Sequence, residues 1–98
     1  MEQTAEIQPA YWLKLFITGA SPNSIKAVKN LKFICEKYLK NRYNLEIIDI
    51  YQDPQVAKNE QLIALPLLVK QHPLPVKRLI GNMSDMKKVM ESLELSES

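Results

Sequence analysis

Tyr11-Trp12-Leu13-Lys14-Leu15-Phe16-Ile17-Thr18-Gly19-Ala20-Ser21-Pro22-Asn23-Ser24 is the stretch that decides the fold. Its first part alternates. Tyr11, Leu13, Leu15 and Ile17 share one face of an extended chain, and Trp12, Lys14 and Phe16 share the other. Two partly apolar faces predict an interior strand covered on both sides. Gly19 follows, where a turn is expected. Ser21 can then cap a helix, because its oxygen accepts an orphan backbone N–H, and Pro22 suits the first helical position, which needs no amide donor. Ile25, Val28, Leu31, Ile34, Cys35, Tyr38 and Leu39 recur at helical spacing to about Asn41, while Lys26, Lys29, Lys37 and Lys40 fall mostly on the opposite side.

Leu45 to Ile50 is rich in β-branched residues and reads as a second strand. Strand, amphipathic helix and strand make a right-handed parallel unit. Asp53-Pro54 repeats the cap-plus-proline signal, so a short helix is expected from Pro54 to about Gln61. Pro66 to Lys70 and Val76 to Ile80 read as short strands joined by the proline loop Gln71 to Pro75. Ser84 is the expected cap of a last helix, whose stripe is Met86, Val89, Met90 and Leu93. The order βαβαββα predicts an α/β domain, a mixed four-stranded sheet flanked by helices in the thioredoxin-like manner. Residues 1–10 and 95–98 read as polar tails around one domain over residues 11–94.

The bulk figures bound the function. The chain has 98 residues, 46% of them hydrophobic and 24% charged, which suits one small soluble domain. A net charge of +2 is too near balance to argue for nucleic acid, although lysines crowd residues 26–40. One cysteine, Cys35, excludes an internal disulfide and a multi-cysteine zinc site, and one histidine, His72, excludes a histidine-rich metal site. No apolar run approaches the ~20 residues that cross a bilayer. The N-terminus is polar and acidic rather than signal-like, so a cytoplasmic location is expected.

Redox members of the thioredoxin-like class place two cysteines, two residues apart, where the first strand meets the first helix, whose N-terminus stabilises the thiolate. Here that junction carries Ser21 and Ser24, and hydroxyls cannot exchange disulfides. Cys35 lies about three turns further on, on the apolar face, as a buried thiol. Ser21 has a second reading, a hydroxyl that hydrogen-bonds a bound thiolate as in glutathione transferases, beside its simpler reading as a cap. Pro66 stands where such folds often keep a cis-proline. Sequence leaves the isomer open, with trans the general default. His72 reads as a loop histidine. Met83, Met86 and Met90 read as core, and the lysines of the first helix as a solvated face.

Leu13 to Ser24, Leu45 to Ile50 with Asp53-Pro54-Gln55, Ile63 to Lys70 and Pro73 to Gly81 together resemble the KaiB family, without obvious gaps over about residues 11–94. The resemblance implies a thioredoxin-like fold, with the KaiB ground-state fold as an alternative. It implies no catalysis, no cofactor and no metal. The expected role is docking onto a KaiC-type ATPase to modulate its phosphorylation and ATPase cycle, in a circadian or stress-response system. A KaiA-like or histidine-kinase partner and self-association to a dimer or tetramer are further implications. By the same resemblance, Lys26, Leu67, Lys70 and Arg78 match positions linked to KaiC regulation, and Gln61, Leu62 and Ala64 match the docking region. Tyr11 matches a position affecting the balance between folds, with Pro66, Pro73, Pro75 and Ser92 as further structural positions. Ser92 replaces a glycine common in the family, and serine favours helix over glycine by roughly half a kcal/mol, so a helical C-terminus is expected. Gln61 and Glu46 stand where relatives commonly carry lysine, which counts against KaiA-type contacts. Two rivals are a glutathione-binding transferase-like domain using Ser21 and a stand-alone sensor domain of a histidine-kinase system.

Overall fold

Strand β1 (Tyr11–Ile17) lies in the middle of the sheet, with neighbours on both edges. The computed structural model describes residues 10–60 and 64–95. After β1 come α1 (Pro22–Tyr38), β2 (Tyr43–Asp49), α2 (Pro54–Asn59), β3 (Leu67–His72), β4 (Lys77–Ile80) and α3 (Met86–Ser92). The strands run in the order β2-β1-β3-β4. β1 pairs parallel with β2 and antiparallel with β3, and β3 pairs antiparallel with β4. The fold is thioredoxin-like, in the predicted βαβαββα order.

The two faces of β1 are covered unequally. Tyr11, Leu13 and Leu15 pack under Leu31, Ile34 and Cys35 of α1 and Val89 and Met90 of α3. Each fully buried aliphatic side chain there contributes about 2 kcal/mol relative to exposure. On the other face Phe16 joins Leu67 and Val69 in a smaller cluster with Val56 of α2. Phe16 is fully buried, but Trp12 on the same face keeps 44% of its surface in water. A six-residue helix is too short to cover the whole strand, so the predicted two-sided cover is complete only at the Phe16 end.

Local signals set most boundaries. Ser21 caps α1, accepting the Ser24 N–H, with Pro22 in the first turn. Asp85, not Ser84, caps α3, because its side chain accepts the Lys88 N–H. β3 runs past the expected Lys70 to His72, and β2 begins at Tyr43 rather than Leu45. The bonds Leu65-Pro66, His72-Pro73 and Leu74-Pro75 are all cis, the minority isomer for proline. Ala10 and Leu95, assigned to the tails from sequence, pack against the core. Among the described residues no helix is long and apolar enough to cross a membrane.

Candidate functional site

The β1–α1 junction is where this fold class places redox chemistry. Here it is a closed set of hydroxyls. Ser24 Oγ accepts the Thr18 N–H at 3.0 Å and the Ser21 hydroxyl at 2.8 Å, and Ser21 Oγ accepts the Ser24 N–H at 3.3 Å. Ser24 is fully buried. Gly19, with φ +57, turns the chain and donates its N–H to Asp49 Oδ1 at 2.9 Å. Among the described residues, the side-chain hydrogen bonds of Ser21 and Ser24 run to each other and to Thr18, and none reaches a His, Asp or Glu. The one histidine, His72, pairs with Trp12 at the far end of β1, roughly 20 Å along the strand at about 3.3 Å per residue. Cys35 is fully buried, and burial, with the Glu36 charge adding to it, pushes its thiol up to about 12. Among the described residues, the hydrogen bonds of the junction are cap and turn bonds.

The positions singled out by the resemblance divide into three sets. Ala64, Leu67 and Arg78 come together with Leu79 and Ile80 around a groove of about 180 Å³. The register explains this, since Leu67 faces Ile80 and Val69 faces Arg78 across the β3–β4 pair. Among the described residues, β4 is an edge strand paired on one side only. Arg78 is exposed and Ile80 keeps 56% of its surface in water, so the groove offers an apolar floor and a charged rim. Leu79 and Ile80 are additions of the structure; their signal in the sequence is an apolar pair beside an arginine on a short strand.

Lys70 belongs to the interior. It is fully buried, and its Nζ donates to the carbonyl oxygens of Pro73 and Pro75, the latter at 2.9 Å. A direct partner contact from Lys70 is not available in this fold; instead it ties down the β3–β4 loop and gives Pro73 and Pro75 their place. Tyr11 donates its hydroxyl to the Leu93 carbonyl at 3.0 Å, holding the end of α3 against β1. Pro66 precedes β3, and its carbonyl accepts the Gly81 N–H at 2.9 Å. Lys26 is exposed on α1 and does not line the groove, and Ser92 ends α3. Gln61 and Leu62 lie outside the described residues.

A larger cleft of about 340 Å³ runs between β2 and α2, with Lys14, Glu46, Asp49, Asp53 and Glu60 on its walls. Lys14 Nζ reaches Glu60 at 4.0 Å across it. Asp49 spends one carboxylate oxygen on the Gly19 and Tyr51 N–H groups, both at 2.9 Å. Among the described residues no group of three or more His, Cys, Asp or Glu is placed to hold a metal ion.

Comparison with known proteins gives consistent relatives. The KaiB domain matches residues 14–95. The circadian clock oscillator protein KaiB of Synechococcus elongatus is 45% identical over 85 residues, covering 87% of this chain and 83% of that protein. The KaiB of Thermosynechococcus vestitus is 42% identical over 91 residues, covering 93% and 84%. Among solved structures, the N-terminal domain of Synechococcus elongatus SasA is similar, with a TM-score of 0.71 and 25% identity, over 100% of this chain and 95% of that one. Oxidised mitochondrial thioredoxin 3 from Saccharomyces cerevisiae matches with a TM-score of 0.70 at 15% identity, over 89% and 80%, which concerns the fold alone.

Proposed function

The chain belongs to the KaiB family, and from that premise we propose that it is a non-catalytic adaptor that docks onto a KaiC-type ATPase and modulates its phosphorylation and ATPase cycle. The observation that carries this reading is the groove in which Ala64, Leu67 and Arg78 meet. These residues are separated in sequence, and the family resemblance assigns them to partner contact for reasons independent of their proximity. An apolar floor fits a desolvated anchor from the partner, while Arg78 on the rim supplies orientation and faster encounter more than raw affinity. The β1–α1 junction supports the non-catalytic part. Its serines spend their hydroxyls on each other and on Thr18, which favours the cap reading of Ser21 over thiol chemistry.

The test is a pull-down with a purified KaiC-type ATPase, with and without ATP. Retention of the wild-type chain is expected, with clear weakening for Arg78→Glu and Ile80→Glu. Both positions are exposed, so circular dichroism should stay native. The reading fails if the wild-type chain is not retained in either nucleotide condition. It also fails if the protein is held on glutathione resin and turns over a glutathione conjugate.

A further inference from the structure

Helix α1 turns outward a face that is both basic and partly apolar. At 100° per residue, Ile25, Lys29, Lys32, Phe33 and Lys37 fall on one arc of roughly 140°. All five are exposed, and Ile25 and Phe33 keep 49% and 55% of their surface in water. The single carboxylate of the helix, Glu36, lies on the same arc and is engaged, accepting the Tyr43 hydroxyl at 2.6 Å. Lys37 lies over the rings of Phe33 and Tyr38, at 5.8 and 5.3 Å from their centroids, so its charge stays beside the apolar patch. Beside Ile25 an apolar groove of about 260 Å³ opens between the helix and the β1–α1 loop, with Ile17, Ala20, Val28 and Lys29 on its walls. Lysines on a helix are commonly just solvated. The interleaved isoleucine, phenylalanine and groove are what a purely solvated face would not need.

We propose that this face docks an acidic amphipathic helix of a partner protein. Its carboxylates would meet Lys29, Lys32 and Lys37, and its apolar residues, two turns apart, would seat on Ile25 and Phe33. The spacing fits, since eight residues of α1 span about 12 Å, close to the i to i+7 or i+8 rise on a partner helix. Anionic lipid fits less well. The continuous apolar stripe of α1, with Leu31, Ile34 and Cys35, is spent in the core, and two outward side chains are too few to embed a helix at a membrane surface. Nucleic acid fits less well too, because α1 carries no arginine and exposes one ring, where strand-binding surfaces set several stacking rings along a basic groove. The face is separate from the groove at Arg78 and stands whether or not that groove binds an ATPase.

The probe is a fluorescent helical peptide of Glu and Ala with two Leu two turns apart, read by anisotropy at low salt. Its control is an isomer of the same composition with the two Leu adjacent. Saturable binding is expected, weakened about tenfold by Lys29→Glu with Lys32→Glu. A loss of about fivefold is expected for Ile25→Ala with Phe33→Ala, and the isomer should bind more weakly than the peptide. Absence of saturable binding overturns the proposal. So does binding that ignores the Ile25 and Phe33 pair, or that is tighter to phosphatidylserine vesicles or single-stranded DNA than to the peptide.

Discussion

Replacing Tyr11 with Phe removes one oxygen and leaves the ring in place, so the apolar packing of Tyr11 against the core is kept. What goes is the 3.0 Å bond from the Tyr11 hydroxyl to the Leu93 carbonyl, which joins residues 82 apart in sequence inside the protein. The hydroxyl already behaves as a buried group, since burial raises its pKa above the phenol range, Arg42 opposes this, and Glu94 adds to it. A typical internal hydrogen bond contributes about 1 kcal/mol net, and a buried carbonyl left without its donor adds roughly another, so Tyr11→Phe should cost about 2 kcal/mol. For a domain of this size that is a fall in Tm of about 10 °C. The assay is urea and thermal unfolding by far-ultraviolet circular dichroism, with native-state amide exchange. The denaturant slope should be unchanged, because the surface exposed on unfolding is the same. Amides of α3 should exchange faster by a factor of about 30 where its opening becomes easier by the same 2 kcal/mol. A loss under about 0.5 kcal/mol, with α3 exchange unchanged, would mean that the Leu93 carbonyl finds another donor and that Tyr11 does not tether the helix.

Gly19→Ala should cost about 1 kcal/mol or more, because Gly19 sits at φ +57 and a Cβ there would lie 3.1 Å from the Tyr51 ring; equal stability in urea melts would contradict this. Ser21→Ala should cost about 1 kcal/mol through loss of the α1 cap, and Ser21→Asp should restore most of it in the same melts. Cys35, its thiol raised from 9.0 to about 12 by burial first, should stay unreactive to a disulfide reagent at pH 8 until the protein unfolds; rapid native labelling would refute its burial. The fold favours the neutral thiol, and also the neutral Tyr43 phenol, raised from 10.0 to about 12 chiefly by its bond to Glu36. Unfolding releases both protons at lower pH, so this part of the stability is complete below about pH 9 and drains away as pH climbs towards 12. A urea midpoint that holds constant from pH 8 to 11 would contradict that.

The element order was legible because each boundary carried a local chemical signal. Ser21-Pro22 and Asp53-Pro54 mark helix starts, and period-two and period-3.6 patterns separate β1 from α1. The burial of Cys35 followed from its place on the apolar stripe. Lys70 was not legible. A lysine in an alternating strand defaults to water, and its acceptors, the Pro73 and Pro75 carbonyls, return to it only once the hairpin has closed. The choice between Ser84 and Asp85 as cap turns on one residue of backbone direction, which pattern alone does not fix. The incomplete cover over Trp12 depends on the length and placement of α2, a tertiary matter. Of the site, the family resemblance supplied Ala64, Leu67 and Arg78, while Leu79 and Ile80 emerged only from strand register.

The central place of β1 has a consequence for how the chain comes into being. Tyr11–Ile17 is synthesised before both of its neighbours; β2 can occupy one of its edges soon afterwards, but the other waits for Leu67–His72. At about 5–20 residues per second, that open edge is available to strangers for several seconds of every round of translation. The hazard falls on a largely apolar strand, Leu13 to Ile17, before its second neighbour has been made. Newborn copies crowded on one message are therefore the population most at risk of pairing wrongly.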